Sequence, residues 1–287
     1  MSPRQRLLKF MLERHQIYLR RAAGEPKPWT DDAVLQQYRF CNVYRELDTV
    51  TIWIRKNIRE PYAAHPSLWF MLCVARQINL PETLAELMAE KAFPDRTWDP
   101  ARARKIMLAR QARGDKVYTS AYMLNAHGRG PNDPSDKAFF TCHLVLDSVW
   151  RAREKIRPVF EGTSAQEAHY ALLPYHGWGG FTAYEVVSDA RHTRYGERWR
   201  DVESAWAHAG PGAIRGLNRI AGREVRGRLE TTAALIEMQG LLDWLQVRWP
   251  YKPGLEMREV EHSLCEFDKY MRAKLGEGRP KALYPGV

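Results

Sequence analysis

The chain has 287 residues, of which 45% are hydrophobic and 27% are charged. This balance excludes wholesale disorder and supplies enough apolar sequence for a sizeable buried core. No run of about 18 apolar residues occurs, so we expect no transmembrane helix. The N-terminus lacks the apolar core of a signal peptide. Because Cys41, Cys73, Cys142 and Cys265 form no CxxC pair, the sequence predicts a reduced, cytoplasmic protein without a zinc knuckle or disulfide framework.

The charge and the aromatic content both point toward nucleic acid. Lys and Arg number 44 against 34 Asp and Glu, which gives a formal net charge of +10. An excess of basic residues is the electrostatic footprint of a protein that binds phosphates. The 10 Trp and 13 Tyr residues are numerous, and aromatic rings can stack on bases. The alternative is that most of these rings belong to the core, because aromatic side chains dominate core burial.

Helical periodicity dominates the chain from end to end. Residues 30–32 (Thr-Asp-Asp) form a helix cap and Pro81 suits the first turn of a helix, whereas 115–136 is rich in Gly, Pro, Asn and Asp and reads as a loop or short hairpin. The predicted helices are 4–22, 31–58, 66–79, 81–91, 100–114, 137–160, 164–173, 181–191, 201–207, 212–221, 229–248 and 255–275. The prediction is a single all-α domain over 1–287.

The first candidate group is Asn42, Arg45 and Asp48, followed two turns later by Arg55. On a helix over 31–58 these side chains share one face. That face is either a solvated charged surface or the wall of a polar cleft. In a cleft, Arg45 offers a planar donor fork for a phosphate or a base edge. Asp48 would then orient Arg45 or act as a base.

Two glycine-rich turns form the second candidate group. Both turns, 178–180 and 210–212, precede predicted helices, and glycine lets backbone amides approach a phosphate at the positive end of a helix. Similar turns join the helices of helix-hairpin-helix DNA modules, although many such turns are only loops. The candidate residues are Trp178, Tyr184 and Asp189 at the first turn, and Gly210, Gly212, Arg215 and Asn218 at the second.

The third candidate group lies on the polar side of the helix at 255–275. Glu261, Cys265 and Lys269 follow one another at helical spacing. A thiol beside a cation is a candidate nucleophile, since the cation lowers the thiol pKa. The alternative is a small residue at the edge of the core. The histidines show no metal-ligand spacing along the chain, and the sequence contains no GxxxxGK[ST], no strand-bound GxGxxG and no GxSxG motif.

Four segments together resemble a known family. They are YRFCNVYRELDTVTIW at 38–53, HGWGGFTAYEVVSDAR at 176–191, AGPGAIRGLNR at 209–219 and EVEHSLCEFDKYMR at 259–272. The chain resembles the α-glutamyl/putrescinyl thymine pyrophosphorylases, or amino acid:DNA transferases, which are encoded largely by bacteriophages. That family is similar to the helical domain associated with 5-hydroxymethyluracil DNA kinases. It distantly resembles helix-hairpin-helix DNA glycosylases.

The resemblance implies a step of thymine hypermodification in an infected bacterial cell. A DNA kinase acts first and yields 5-pyrophosphoryloxymethyl-deoxyuridine in double-stranded DNA. The family member then replaces pyrophosphate with an amine, such as an amino acid or a polyamine. The resemblance specifies no cofactor. Mg²⁺ is the candidate, because it would bind pyrophosphate. The absence of a P-loop motif fits a transferase that works after the kinase.

This chemistry suits the residue types of the candidate groups. Developing charge on pyrophosphate calls for cations or amide donors, such as Arg45, Arg55, Arg215 and the 210–212 turn. The amine must lose a proton to a base, for which Asp48, Asp189 and Glu261 are the candidates. An extruded base would stack on Trp178 or Tyr184. A transient thiolate addition at C6 would involve Cys265.

Two other functions stay open from the sequence. One is a helix-hairpin-helix DNA glycosylase that uses Asp189 and releases a free base. The other is a basic helical protein that binds DNA and leaves every nucleoside unchanged. The mass of the nucleosides after digestion separates all three functions.

Overall fold

The computed structural model of the chain describes residues 1–93, 97–119, 137–201, 205–280 and 282–284. Within these ranges the regular structure is helical, and the β-type pairing found there is an isolated antiparallel bridge between Tyr38 and Leu283. The all-α fold class is therefore confirmed, while its helix-hairpin-helix character stays a prediction. The loop or hairpin predicted at 115–136 lies outside the described residues from 120 onward.

The described residues form fourteen α-helices, numbered in chain order. They are α1 (Pro3–Ala22), α2 (Ala33–Gln37), α3 (Thr49–Ile54), α4 (Leu68–Ile78), α5 (Pro81–Ala89), α6 (Pro100–Ala112), α7 (Lys137–Phe139), α8 (Asp147–Arg151), α9 (Arg153–Phe160), α10 (Ala165–Leu172), α11 (Gly180–Ala190), α12 (Pro211–Ala221), α13 (Thr231–Gln246) and α14 (Met257–Lys274). A 3₁₀ turn covers Arg45–Leu47, and π-helical stretches cover Arg55–Arg59 and Phe140–Leu146.

The chain divides into two compact units. The terminal unit combines Met1–Asp48 with Glu203–Val287, and the central unit is Thr49–Val202. The terminal unit therefore contains α1, α2 and α12–α14, and the central unit contains α3–α11. The assignment of 1–287 to a single domain stays a prediction.

Aromatic packing positions α1 and α14 in the terminal unit. The ring of Phe10 on α1 lies 5.7 Å from Phe40 and 5.0 Å from Tyr270 on α14, measured between ring centroids. Phe40 and Phe267 are also buried. Rings packed edge to face contribute beyond the area that they bury. Because Phe40 is anchored in this way, the residues that follow it are held beside α14.

In the central unit, α4 is buried along its whole length. It carries two polar side chains, Arg76 and Gln77, into this environment. A buried charge requires a paired partner. For Arg76 that partner is on α11, where Asp189 is fully buried.

The prediction of one helix over 31–58 is wrong. α2 ends at Gln37, and Tyr38 is extended with φ −105° and ψ 142°. The backbone of this stretch pairs with the C-terminal segment, as Arg39 N–H donates to Ala282 O at 2.9 Å and Tyr284 N–H donates to Gln37 O at 3.1 Å. Aromatic, β-branched, Cys and Asn residues fill 38–44 and favour a helix only weakly. Backbone hydrogen bonds to a segment that is distant in sequence therefore hold this stretch extended, despite its helical periodicity.

Two other predicted helices also differ from the structure. The helix at 137–160 is interrupted by the π-helical stretch and by a break at Ala152. The helix at 201–207 is wrong in its described part, because Asp201 and 206–207 are not helical. Asp201 instead accepts hydrogen bonds from Ala165 N–H at 2.7 Å and Ser164 Oγ at 2.8 Å. Its carboxylate thus serves the N-terminus of α10.

Candidate functional site

The Asp48 carboxylate holds together a turn at 42–48 in the terminal unit. Its Oδ1 accepts hydrogen bonds from Asn42 N–H at 3.0 Å and Asn42 Nδ2 at 2.9 Å, and its Oδ2 lies 3.1 Å from Arg45 Nη1. Arg14 of α1 donates to Asn42 Oδ1 at 3.0 Å. The predicted helical stripe is thus a compact turn, in which Asn42, Arg45 and Asp48 still meet.

Burial governs the electrostatics of this turn. Desolvation raises the pKa of Asp48 above its ordinary value, and Arg45 only partly opposes that shift. A carboxylate with a raised pKa is a stronger base, which suits general-base chemistry near neutral pH. Arg45 and Asn42 are buried, whereas Asp48 is half-buried. Their donors are therefore fixed by the fold and are not spread over a solvated surface.

The polar side of α14 faces this turn. Glu266 Oε2 accepts a hydrogen bond from the backbone N–H of Cys41 at 3.0 Å. The other carboxylate oxygen, Oε1, lies 2.6 Å from Lys269 Nζ. Burial lowers the pKa of Lys269, while Glu266, Cys41 and Cys265 together raise it, so the net shift is upward. Lys269 is consequently a protonated cation at neutral pH. Its Nζ also lies 5.4 Å from the ring centroid of Phe40.

Cys265 sits on the same side of α14 in a setting that opposes the thiolate. Burial raises its pKa to about 12, with further contributions from Glu261 and Glu266, while Lys269 acts in the opposite direction. Cys41 is similar, since burial and then Glu266 raise its pKa to about 12. Both sulfurs are therefore protonated thiols at neutral pH.

Close packing of α12 against α14 explains the glycines of the second turn. A Cβ added to Gly212 would lie 2.3 Å from Cys265 Sγ, and one added to Gly216 would lie 2.4 Å from the backbone oxygen of Leu264. A Cβ added to Gly210 would lie 3.7 Å from Glu261 Oε1. Gly212 is thus required for helix contact, and the turn brings the N-terminus of α12 beside α14.

The three groups predicted separately therefore converge in part. We name the α14 cluster for the residues that interact there, namely Cys41, Asn42, Arg45, Asp48, Glu261, His262, Cys265, Glu266 and Lys269. It lies wholly within the terminal unit. Gly210 and Gly212 border it.

Arg215 and Asn218 of α12 have structural partners. The carboxylate of Asp268, which is fully buried, lies 2.7 Å from Arg215 Nε, 2.8 Å from Arg219 Nε and 3.3 Å from Arg272 Nε. Asn218 Nδ2 donates to Gly227 O at 2.8 Å. Arg215 keeps about a third of its side chain exposed, and it lines an open groove of about 860 Å³ with several other arginines. Asn218 is buried and holds the chain after α12.

Sequence reasoning missed three members of the α14 cluster as site residues. Donor atoms of Cys41, His262 and Glu266 all lie within 4.8 Å of one another. His262 and Glu266 are one helical turn apart, and that spacing was a usable signal. Cys41 lies 225 positions from Glu266. The spacing of the histidines along the chain therefore does not show this group.

Asp189 is an ion-pair partner in the central unit. Its Oδ2 lies 2.6 Å from Arg76 Nε and its Oδ1 lies 2.9 Å from Arg76 Nη2, with Arg59 Nη1 at 3.9 Å. Thr51 and Glu185 also contact Arg76, at 3.0 Å and 3.5 Å. A fully buried carboxylate held by a bidentate guanidinium is poorly placed to take a proton from a substrate.

The other predicted residues of the central unit are packed or paired. Trp178 is buried and its Nε1 donates to Val145 O at 3.2 Å. Tyr184 is buried, with its ring 6.4 Å from that of His169. Arg55 Nε lies 3.7 Å from Glu60 Oε1 at the surface. The stacking roles of Trp178 and Tyr184 stay predictions, and both rings are core residues of this unit.

The fold and the α14 cluster define an all-helical protein with a half-buried polar site, and comparison with known proteins gives its family. The family model of the 5-hmdU DNA kinase helical domain matches residues 3–279, so the chain belongs to this family. A 5-hmdU DNA kinase of Bacillus phage SP10 is 28% identical over 284 residues. That match covers 91% of the chain and 43% of the relative, so the chain spans less than half of that relative's length.

No solved structure is significantly similar to the chain. Among the described residues, every helix is too short or too polar to cross a membrane.

Proposed function

We propose that the chain acts in phage thymine modification and displaces pyrophosphate from 5-pyrophosphoryloxymethyl-deoxyuridine in DNA with an amine. The observation that carries this proposal is the α14 cluster, because a candidate base and two cations lie together in this half-buried polar site. Family membership supports the substrate class, since the relative from phage SP10 is a 5-hmdU DNA kinase.

The reaction forms one bond and breaks one. The lone pair of the amine nitrogen attacks the 5-methylene carbon, a C–N bond forms, and the C–O bond to pyrophosphate breaks with its electrons leaving on oxygen. The extra proton on the amine passes to a base. Asp48 is the best candidate, because burial raises its pKa and because Asp189 is committed to Arg76. Glu261 is the alternative base within the same cluster.

Arg45 and Lys269 are the candidate partners of the leaving group. Pyrophosphate gains charge as the C–O bond breaks, and fixed cations in a buried site stabilise that charge more strongly than they would in water. Lys269 keeps its proton because its pKa is raised, and Arg45 is held by Asp48. The 210–212 turn borders the cluster at the N-terminal end of α12, where partial positive charge is available.

Direct displacement is the route that we propose for this site. Covalent assistance would require the Cys265 thiolate to add to C6 of the uracil. The pKa of Cys265, about 12, disfavours that thiolate. Cys265→Ala should accordingly retain most of the turnover of the unchanged protein. A loss of several orders of magnitude in a folded Cys265→Ala protein would establish the covalent route instead.

The family description favours a second candidate function. The chain would then be the helical part of a DNA kinase and would recognise 5-hydroxymethyluracil without transferring an amine. DNA glycosylase action has less support, because Asp189 is fully buried in an ion pair. Amine transfer adds mass to the nucleoside, glycosylase action removes the base, and recognition alone leaves every nucleoside unchanged.

The test incubates the chain with two defined DNA substrates. One contains the pyrophosphorylated base and is offered with glycine, serine, glutamate or putrescine, with and without Mg²⁺. The other contains 5-hydroxymethyluracil and is offered with ATP and Mg²⁺, and thymine DNA is the control. Digested nucleosides are then weighed. The proposal predicts the mass of an amine adduct with the first DNA only. Phosphate gain on the second DNA, base loss, or unchanged nucleosides throughout would each refute it.

A further inference from the structure

The α14 cluster contains three side chains of the kinds that bind transition metals. Cys41 Sγ, a ring nitrogen of His262 and a carboxylate oxygen of Glu266 all lie within 4.8 Å of one another. We propose that these three residues form a site for a divalent transition metal of the Zn²⁺ type. The proposal concerns metal binding alone and does not depend on amine transfer.

The donor set itself selects the class of metal. Thiolate, imidazole and carboxylate are the three side-chain ligands that Zn²⁺ takes, whereas Mg²⁺ and Ca²⁺ prefer oxygen alone. Three protein ligands leave a fourth position open, which is typical of reactive zinc sites and not of purely structural ones. The site therefore differs in kind from a Mg²⁺ site that would be held by pyrophosphate oxygens.

The distances require only a small adjustment. Ligand atoms around a tetrahedral Zn²⁺ are separated by roughly 3.3–3.6 Å, as bond lengths of about 2.0–2.3 Å dictate. The present separations reach at most 4.8 Å. Each gap therefore closes by no more than about 1.5 Å, which side-chain rotation can supply.

Hydrogen bonds hold two of the three ligands in place. Cys41 N–H donates to Glu266 Oε2 at 3.0 Å, which fixes the extended segment of Cys41 against α14. Lys269 Nζ lies 2.6 Å from Glu266 Oε1 and orients the carboxylate from its other side. A carboxylate has about four lone-pair directions, so these contacts leave room for a metal bond. Outer partners of this kind are a regular part of metal sites.

The experiment measures metal binding by the full chain after chelator treatment. Zn²⁺ content is determined by elemental analysis, and Co²⁺ titration reports a thiolate-to-cobalt charge-transfer band and the d–d bands of a four-coordinate ion. We expect one equivalent of metal and both spectral features. Cys41→Ser should lose the charge-transfer band and weaken Co²⁺ binding by at least the roughly 10–100-fold that loss of an outer partner costs. Cys265→Ser is the matched control, because its thiol lies in the same cluster outside the ligand set.

Circular dichroism confirms that each variant is folded, and His262→Gln and Glu266→Gln replace Cys41→Ser if that variant does not fold. Either should weaken Co²⁺ binding by a similar factor. The proposal is overturned if the unchanged chain shows no charge-transfer band. It is also overturned if the band survives in Cys41→Ser and disappears in Cys265→Ser. None of these readouts involves DNA or an amine.

Discussion

Replacing Asp189 by Asn separates a structural role from a catalytic one. Asp189 is fully buried and receives two hydrogen bonds from Arg76, at 2.6 Å and 2.9 Å, with Arg59 at 3.9 Å. Asn keeps the size of the side chain but removes the charge and one acceptor. Arg76 then retains Glu185 as a charged neighbour at 3.5 Å, which is a weaker contact.

The expected loss of stability follows from the burial of this pair. Breaking a buried ion pair by neutralising one partner costs about 3–5 kcal/mol, because the other charge stays buried. For a unit of this size, about 1 kcal/mol shifts the Tm by about 2–4 °C, so Asp189→Asn should lower it by about 6–20 °C. The double variant Asp189→Leu/Arg76→Met removes both charges and should recover much of that loss.

Thermal unfolding followed by circular dichroism gives the Tm, and a nucleoside assay below the Tm gives activity per folded molecule. The structural role predicts a large Tm shift with retained activity for Asp189→Asn. An unchanged Tm with abolished activity would refute this reasoning and restore Asp189 as a candidate base. A double variant that is no more stable than Asp189→Asn would show that the unpaired Arg76 is not the cause.

Three further outcomes follow from the terminal unit and the net charge. Gly212→Ala should destabilise the fold by about 1–3 kcal/mol, because the new Cβ meets Cys265 Sγ at 2.3 Å, and the added change Cys265→Ala should relieve most of that loss in denaturant unfolding. The control Gly240→Ala on α13, where nothing lies within 4 Å, should stabilise the chain by up to about 1 kcal/mol. The pKa values of Cys41 and Cys265 rise from 9.0 to about 12 on folding, so the unfolded chain loses these protons first. The free energy of unfolding should therefore fall as pH rises from about 9 to 12, and replacing both thiols by Ala should flatten this slope. The net charge of +10 predicts that DNA affinity falls steeply in a log–log plot against salt, and a flat plot would assign the basic surface another purpose.

Local signals made most of the helices predictable from the sequence. Pro81 and Pro211 begin α5 and α12, and Asp99 caps α6 by accepting the backbone N–H of Ala101 and Arg102 at 3.0 Å. Ser2 and Gln5 form a capping box on α1. Each of these signals lies within a few residues of the helix end that it sets, which is why pattern alone suffices.

The segment 38–44 could not be predicted in the same way. Its backbone partners are Ala282, the side chain of Arg14 and the side chain of Glu266, all of which are distant along the chain. Hydrophobic periodicity does not record such contacts, and a short apolar pattern fits several conformations. The same distance concealed Cys41 as a neighbour of His262 and Glu266.

Three of the candidate site residues lie together as predicted, but the structural reason differs from the predicted one. Asn42, Arg45 and Asp48 were expected together because a helix would align them, and they meet because the Asp48 carboxylate closes a turn. Short spacing keeps residues close in either conformation. Arg55, only seven positions later, belongs to the central unit and pairs with Glu60.

The raised pKa of Cys265 favours one of the two routes for the proposed pyrophosphate displacement. With a pKa of about 12, the thiolate fraction at pH 7 is on the order of 10⁻⁵. Forming the thiolate would therefore add about 7 kcal/mol to any barrier that begins with addition to C6. Asp48 differs from Cys265 in this respect, because Arg45 at 3.1 Å and the two Asn42 donors at 3.0 Å and 2.9 Å favour its charged form. Proton removal from the amine by Asp48, with Arg45 and Lys269 receiving the leaving group, is thus the less demanding use of the same cluster.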